Sequence, residues 1–132
     1  MFETSLIPAA VVREKGDGPV VDVSSVAGTV LLLTLDITDV IEQQSLDVSV
    51  WGSADGAAWG EKPLLAFPQK FYRGQHPLLL DLSKHVGVKF LRAHWEVGRW
   101  GHHPEPPRFE LNLHLRDVPQ EVLAESRAVA GS

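Results

Sequence analysis

The chain has 132 residues, enough for one domain with a core of its own, and 44% apolar against 22% charged residues is the balance of an ordinary globular protein. Cysteine is absent, which excludes disulfide staples, thiolate metal sites and cysteine nucleophiles. A formal charge of −5, with no block of lysine or arginine, argues against a nucleic-acid surface and against an anionic membrane partner.

The opening MFETSLIPAAVV carries Glu3 where a secretory leader would be basic, and the longest apolar run, Val30 to Leu33, is far too short to span a bilayer. The expectation is a protein without export signal or membrane segment, cytoplasmic or part of a virion. Leu6 to Val12 is apolar with Pro8 inside it, which suits an edge strand or an extended arm over residues 1–12. Glu14 to Gly18 is a polar turn, and Val20, Val21 and Val23 form a short β-branched strand. Thr29 to Thr38 is the strongest strand. It sets Leu31, Leu33, Leu35 and Ile37 on one face and Val30, Leu32, Thr34, Asp36 and Thr38 on the other. Thr38 to Ser45 reads as either a loop or a short helical turn.

From Leu46 to Phe71 the pattern is a strand, a turn and a return strand. Leu46, Val48 and Val50 alternate with Asp47, Ser49 and Trp51; Asp55-Gly56 supplies the turn; Leu64, Leu65, Phe67 and Phe71 form the return arm. Arg73 to Pro77 reads as a turn before a strand through Leu78, Leu80 and Leu82. Phe90 to Val97 alternates again, with Leu91, Ala93, Trp95 and Val97 opposing Phe90, Arg92, His94 and Glu96. Gly98 to Arg108 holds glycines and prolines that break regular structure. Phe109, Leu111, Leu113 and Leu115 then face inward, opposite Glu110, Asn112, His114 and Arg116. The tail, 119–132, is a short helix or disordered.

Seven or eight short strands at this spacing predict an all-β fold, an antiparallel β-sandwich of jelly-roll or immunoglobulin-like type spanning residues 1–118, with a small closed barrel as the geometric alternative. Strict alternation speaks against a parallel α/β sheet, whose strands are more continuously apolar.

The chemistry-bearing residues are few. His102 and His103 are adjacent, so in an extended loop they point apart; with Glu105 they fall short of the converging ligands a zinc site needs, and no metal or cofactor is expected. His94 and His114 read as a cross-strand polar pair. No serine sits in a nucleophile turn, so no catalytic residue is assigned. Trp51 and Trp95 read as core. Trp59 and Trp100, with Tyr72 and Arg99, either cover strand ends and subunit contacts or form a platform on which a sugar ring stacks. Ser53 to Trp59 has the Ser-x-Asp-Gly-x-x-Trp pattern of many sandwich-domain turns, which Asp55 and Gly56 explain through turn chemistry alone.

In order, Leu6-Ile7-Pro8-Ala9-Ala10, Val21-Asp22-Val23 with Gly28, Leu31 to Ile37, Leu46-Asp47-Val48-Ser49-Val50, Ser53 to Trp59, Phe67-Pro68-Gln69, Leu91-Arg92-Ala93-His94-Trp95 and Phe109-Glu110-Leu111 resemble the pattern of small structural proteins from the virion-assembly modules of tailed phages and prophages. The segment Gly101 to Arg108 is richer in proline and histidine than that pattern. The resemblance implies a non-enzymatic, many-copy component that decorates or joins a capsid, tail or other protein shell. Its partners would be proteins, as a homo-oligomer or a repeating lattice, with a carbohydrate-binding module as the alternative. The interaction residues expected on this reading are Phe2, Leu6, Ile7, Trp59, Tyr72, Arg99, Trp100, His102 and His103.

Overall fold

The computed structural model describes residues 2–40, 44–70, 73–99 and 108–118. Its strands are β1 (Glu3–Val12), β2 (Gly16–Asp17), β3 (Val21–Asp22), β4 (Val30–Val40), β5 (Gln44–Ser53), β6 (Leu65–Ala66), β7 (Gly74–Asp81), β8 (Phe90–Arg99) and β9 (Phe109–Asp117). One sheet has the order β1-β9-β4-β7. The other has the order β2-β8-β5-β6, with β3 also on β8, and every pairing is antiparallel.

β2 and β3 are two halves of one broken strand. Asp17 pairs His94 and Val21 pairs Leu91, and between them the Gly18 amide donates to the Ala93 carbonyl at 2.8 Å. Counted so, eight strands pair as mirror images along the chain: β1 with β9, β2/β3 with β8, β4 with β7, and β5 with β6. A long hairpin folded onto itself and wrapped into two facing sheets produces this order, which is the jelly roll. An immunoglobulin-like sandwich groups its strands differently, and a closed barrel has one sheet where this protein has two.

The core is what the alternation specified. Leu31, Leu33, Leu35 and Ile37 of β4 and Phe109, Leu111, Leu113 and Leu115 of β9 are buried. They belong to one apolar cluster with Leu46, Val48 and Val50 of β5 and Leu91 and Ala93 of β8 from the opposite sheet. Burying each such leucine contributes about 1.5–3 kcal/mol.

Three expectations are corrected. Of the two readings of the opening segment, the edge strand holds and the free arm does not: β1 ends its sheet and pairs β9 from Glu3↔Arg116 to Val12↔Phe109, and Leu6 and Ile7 lie in the core, where they have no surface to offer a partner. Glu3 and the stretch Pro8 to Val11 are exposed in β1, the latter next to the register shifts between Ser5 and Ala10. The return arm after Asp55 is present: β6 and the bridge between Leu46 and Lys70 run antiparallel along one edge of β5, with the Phe67 amide donating to the Val48 carbonyl at 2.9 Å, while β8 pairs the other edge from Gln44↔Arg99 to Ser53↔Phe90. Gly74 to Pro77 is strand, because Pro77 sits on an outermost strand, where its missing N–H leaves no ladder bond unmade. Likewise the segment between Thr38 and Ser45 contributes strand at both ends, to Val40 and from Gln44. The notion of a C-terminal helix or tail concerns residues outside those described.

Gly18 marks a close approach between the sheets' edges: a Cβ there would lie 2.4 Å from the Leu6 carbonyl oxygen. Leu113→Ala should therefore lower stability by about 2–5 kcal/mol through a cavity, and Gly18→Ala by about 1–3 kcal/mol through displaced backbone. Val86→Ala, at a side chain 94% exposed, should stay within about 0.5 kcal/mol. Urea midpoints at constant slope check all three; equal effects at the three positions would contradict the assigned core.

Candidate functional site

The outer face of the β2-β8-β5-β6 sheet carries the polar and aromatic half of two alternating strands. Since Val48 and Val50 point inward, Ser49 and Trp51 point outward on β5; since Leu91 and Ala93 point inward, Arg92, His94 and Glu96 point outward on β8. The register sets Trp51 opposite Arg92, Ser49 opposite His94, and Asp17 of β2 on the other side of His94.

Trp59 reaches this face from the long loop after β5, and that loop is built by Ser53 and Asp55. The Ser53 hydroxyl accepts from the amides of Asp55 (3.2 Å) and Gly56 (2.9 Å) and donates to Asp55 Oδ1 (2.9 Å). Asp55 Oδ1 accepts from the amides of Ala57 (2.8 Å) and Ala58 (3.0 Å). Gly56 has φ +80°, which a side chain would strain. The turn expected at Asp55-Gly56 is present, but as a side-chain-nucleated loop and not as a two-residue hairpin.

Together Asp17, Trp51, Trp59, Gly60, Arg92 and His94 line an open cleft of about 310 Å³. The Arg92 guanidinium lies over the Trp59 ring, 4.5 Å from its centroid. Asp17 Oδ1 lies 2.9 Å from His94 Nδ1 and 3.8 Å from Arg92 Nε, the second distance too long for a direct hydrogen bond. His94 Nε2 lies 3.7 Å from Glu96, and the Trp51 indole N–H donates to Ser49 Oγ at 2.9 Å. Arg92 Nε is thus left buried without a hydrogen-bond partner, while Trp51 and His94 are tied to polar neighbours.

Of the residues expected to interact that are described, Trp59 alone falls in this cleft. Phe2 is partly buried against the core, its N–H donating to Asp117 Oδ1 at 2.9 Å. Tyr72, Trp100, His102, His103 and the Arg99 side chain lie outside the described residues. His94 and His114 do not pair, because β8 and β9 belong to opposite sheets; His114 Nε2 instead meets Glu3 at 2.8 Å. Trp51 is half-buried on the outer face and not in the core, while Trp95 packs against the core with its N–H donating to the Glu14 carbonyl at 3.0 Å. Sequence reasoning missed Trp51, Arg92 and Asp17 as site residues. The signal for the first two was their outward parity on β5 and β8; nothing local could have brought Asp17 beside them.

Elsewhere, a second shallow groove of about 400 Å³ lies where β1 departs from β9, between Ala9, Ala10, Val11, Thr38, Glu110 and Asn112. No group of three or more His, Asp or Glu side chains among the described residues is placed to hold a metal ion. No helix among them is long and apolar enough to cross a membrane. Burial holds the His76 pKa below its usual 6.5, helped by Lys70 and opposed by Asp36. The Ser24 hydroxyl and amide lower that of Asp22.

No protein-family model matches the chain, and no curated protein matches its sequence. Among solved structures, a chain in "Structure of infectious bursal disease virus Gt strain" aligns with 86% of this chain at a TM-score of 0.48 and 9% identity. The alignment covers 29% of that chain, so this protein spans less than a third of its length, and at that score the likeness assigns no function.

The amides of Ala58 and Ala57 and the Ser53 hydroxyl hold the Asp55 carboxyl down from 3.8 to about 2. The folded value lies below the unfolded one, so this contribution is complete above about pH 4 and is lost as pH falls through about 2. Asp55→Asn should lower the urea midpoint at neutral pH and matter progressively less between about pH 4 and about pH 2. A difference from the parent that stays constant across that window would show that the charge of Asp55 does not hold the loop.

Proposed function

We propose that this protein is a non-enzymatic, many-copy structural component that decorates or joins a phage-like shell or tube. The observation that carries the reading is the outer face of the β1-β9-β4-β7 sheet. Leu79 of the outermost strand is 53% exposed there. It stands opposite Leu32, and Pro77 stands opposite Thr34 in the next outward row. Leu79, Leu32 and Pro77 thus make a small apolar patch at the rim of the face, bordered by Thr34, Arg116 and His114, and such a patch with a polar border suits repeated protein contacts. The sheet edges are less suited to partners. β1 carries Pro8 and two register shifts, β7 carries Pro77, and β6 has two residues, all features that blunt strand addition. Contacts through faces are therefore favoured over contacts through edges. The jelly roll adds only analogy, since it serves shells, lectins and enzymes alike. The resemblance in the order of the sequence segments points the same way.

Sedimentation velocity over a rising concentration series tests the reading. Reversible association is expected, and Leu79→Asp should reduce the association constant by about tenfold or more without changing the thermal midpoint. A protein that stays monomeric up to about millimolar concentration would overturn self-association through this face.

A further inference from the structure

The cleft on the opposite sheet has no part in that contact. Its chemistry narrows what could fill it.

A cation is disfavoured at Trp59, since the attraction of the ring face is already used by Arg92 at 4.5 Å. An anion is disfavoured too. Arg92 faces Asp17, and Glu96 lies 3.7 Å from His94 Nε2, so the one guanidinium of the cleft stands among two carboxylates and leaves no net positive charge to draw an anion. A purely apolar ligand would cover Asp17 and His94 without replacing the water they bind, which is costly. What remains is a neutral ligand with an apolar face for indole and a rim of hydroxyls for carboxylate, imidazole and guanidinium. A pyranose ring has both. Its axial C–H groups lie on one face, and its vicinal hydroxyls match the two oxygens of a carboxylate and the fork of a guanidinium.

We propose that Trp51, Trp59, Arg92, His94 and Asp17 form a binding site for a neutral hexopyranose unit of a glycan. Trp51 supplies the stacking surface, Trp59, with Arg92 over its ring, bounds the site, and Asp17, His94 and Arg92 supply the hydroxyl partners. The site is preorganised. Trp51 is anchored through its N–H to Ser49, Trp59 by Arg92, and the Trp59 loop by the Ser53–Asp55 bonds. At about 310 Å³ it sits at the small end of small-molecule clefts, the size for one or two rings and not for an extended chain. It shares Trp59 with the platform suggested by the sequence, whose other members lie outside the described side chains. It is also independent of the Leu79 face, so either proposal can fail alone.

The test is a ¹H–¹⁵N titration of the full chain with methyl β-glucoside, methyl β-galactoside, N-acetylglucosamine and cellotetraose, with tetragalacturonate as the charged control. For at least one neutral sugar, the indole N–H signals of Trp51 and Trp59 should shift saturably, with Kd on the order of 1 mM or tighter. That Kd should change less than about twofold between about 50 and about 500 mM NaCl. Trp51→Ala and Trp59→Ala should each weaken binding about tenfold, and Trp51→Phe, which keeps an aromatic face, by less than about threefold. The proposal is overturned if no neutral sugar saturates the wild-type signals up to about 20 mM. It is equally overturned if the shifts map away from the cleft, or if only tetragalacturonate binds and salt weakens it.

Discussion

The antiparallel ladder between β4 and β9 is the constraint on which the molecule depends. It runs from Leu31↔Asp117 to Val40↔Phe109 with a single register shift after Ile37, and it places eight large apolar side chains of two strands on one inner face. A slip of one strand by one residue would turn its four outward and expose a large apolar row to water. The register is therefore fixed by the core, and the outer strands β1 and β7 inherit their positions from it.

This inner sheet leaves its partner freer. The opposing sheet contributes smaller inward side chains, Val48, Val50 and Ala93 among them, and its flanking strands are short and broken where β2 gives way to β3. Division of labour follows. The β1-β9-β4-β7 sheet holds most of the buried leucine, while the outer face of β2-β8-β5-β6 has room for Trp51 and Trp59 beside charged neighbours.

The two proposed surfaces lie on the outer faces of opposite sheets. A domain that docks through its Leu79 face would leave the tryptophan cleft pointing away from the contact. The thickness of two packed sheets, with the core between them, separates the two roles, and neither side chain set depends on the other for its geometry.

The face to which each residue of the main strands belongs was legible in the sequence, because side chains alternate with a period of two and only one face is apolar. The Asp55-Gly56 turn was legible for a similar reason: its bonds run between residues at most three apart. Partners were not. In a jelly roll each strand pairs with its mirror position, so β1 meets β9 across nearly the whole described chain, and alternation says which side a leucine faces without saying which strand lies next to it. That is why the alternation allows Leu6 and Ile7 to be read as an arm as well as an edge strand, why it gives β5 its return arm but not β8 on the other edge, and why it sets His94 beside His114. The cleft needed tertiary structure for the same reason: Asp17, Trp51, Trp59 and Arg92 come from three distant stretches that only the wrapping of the hairpin brings to one face.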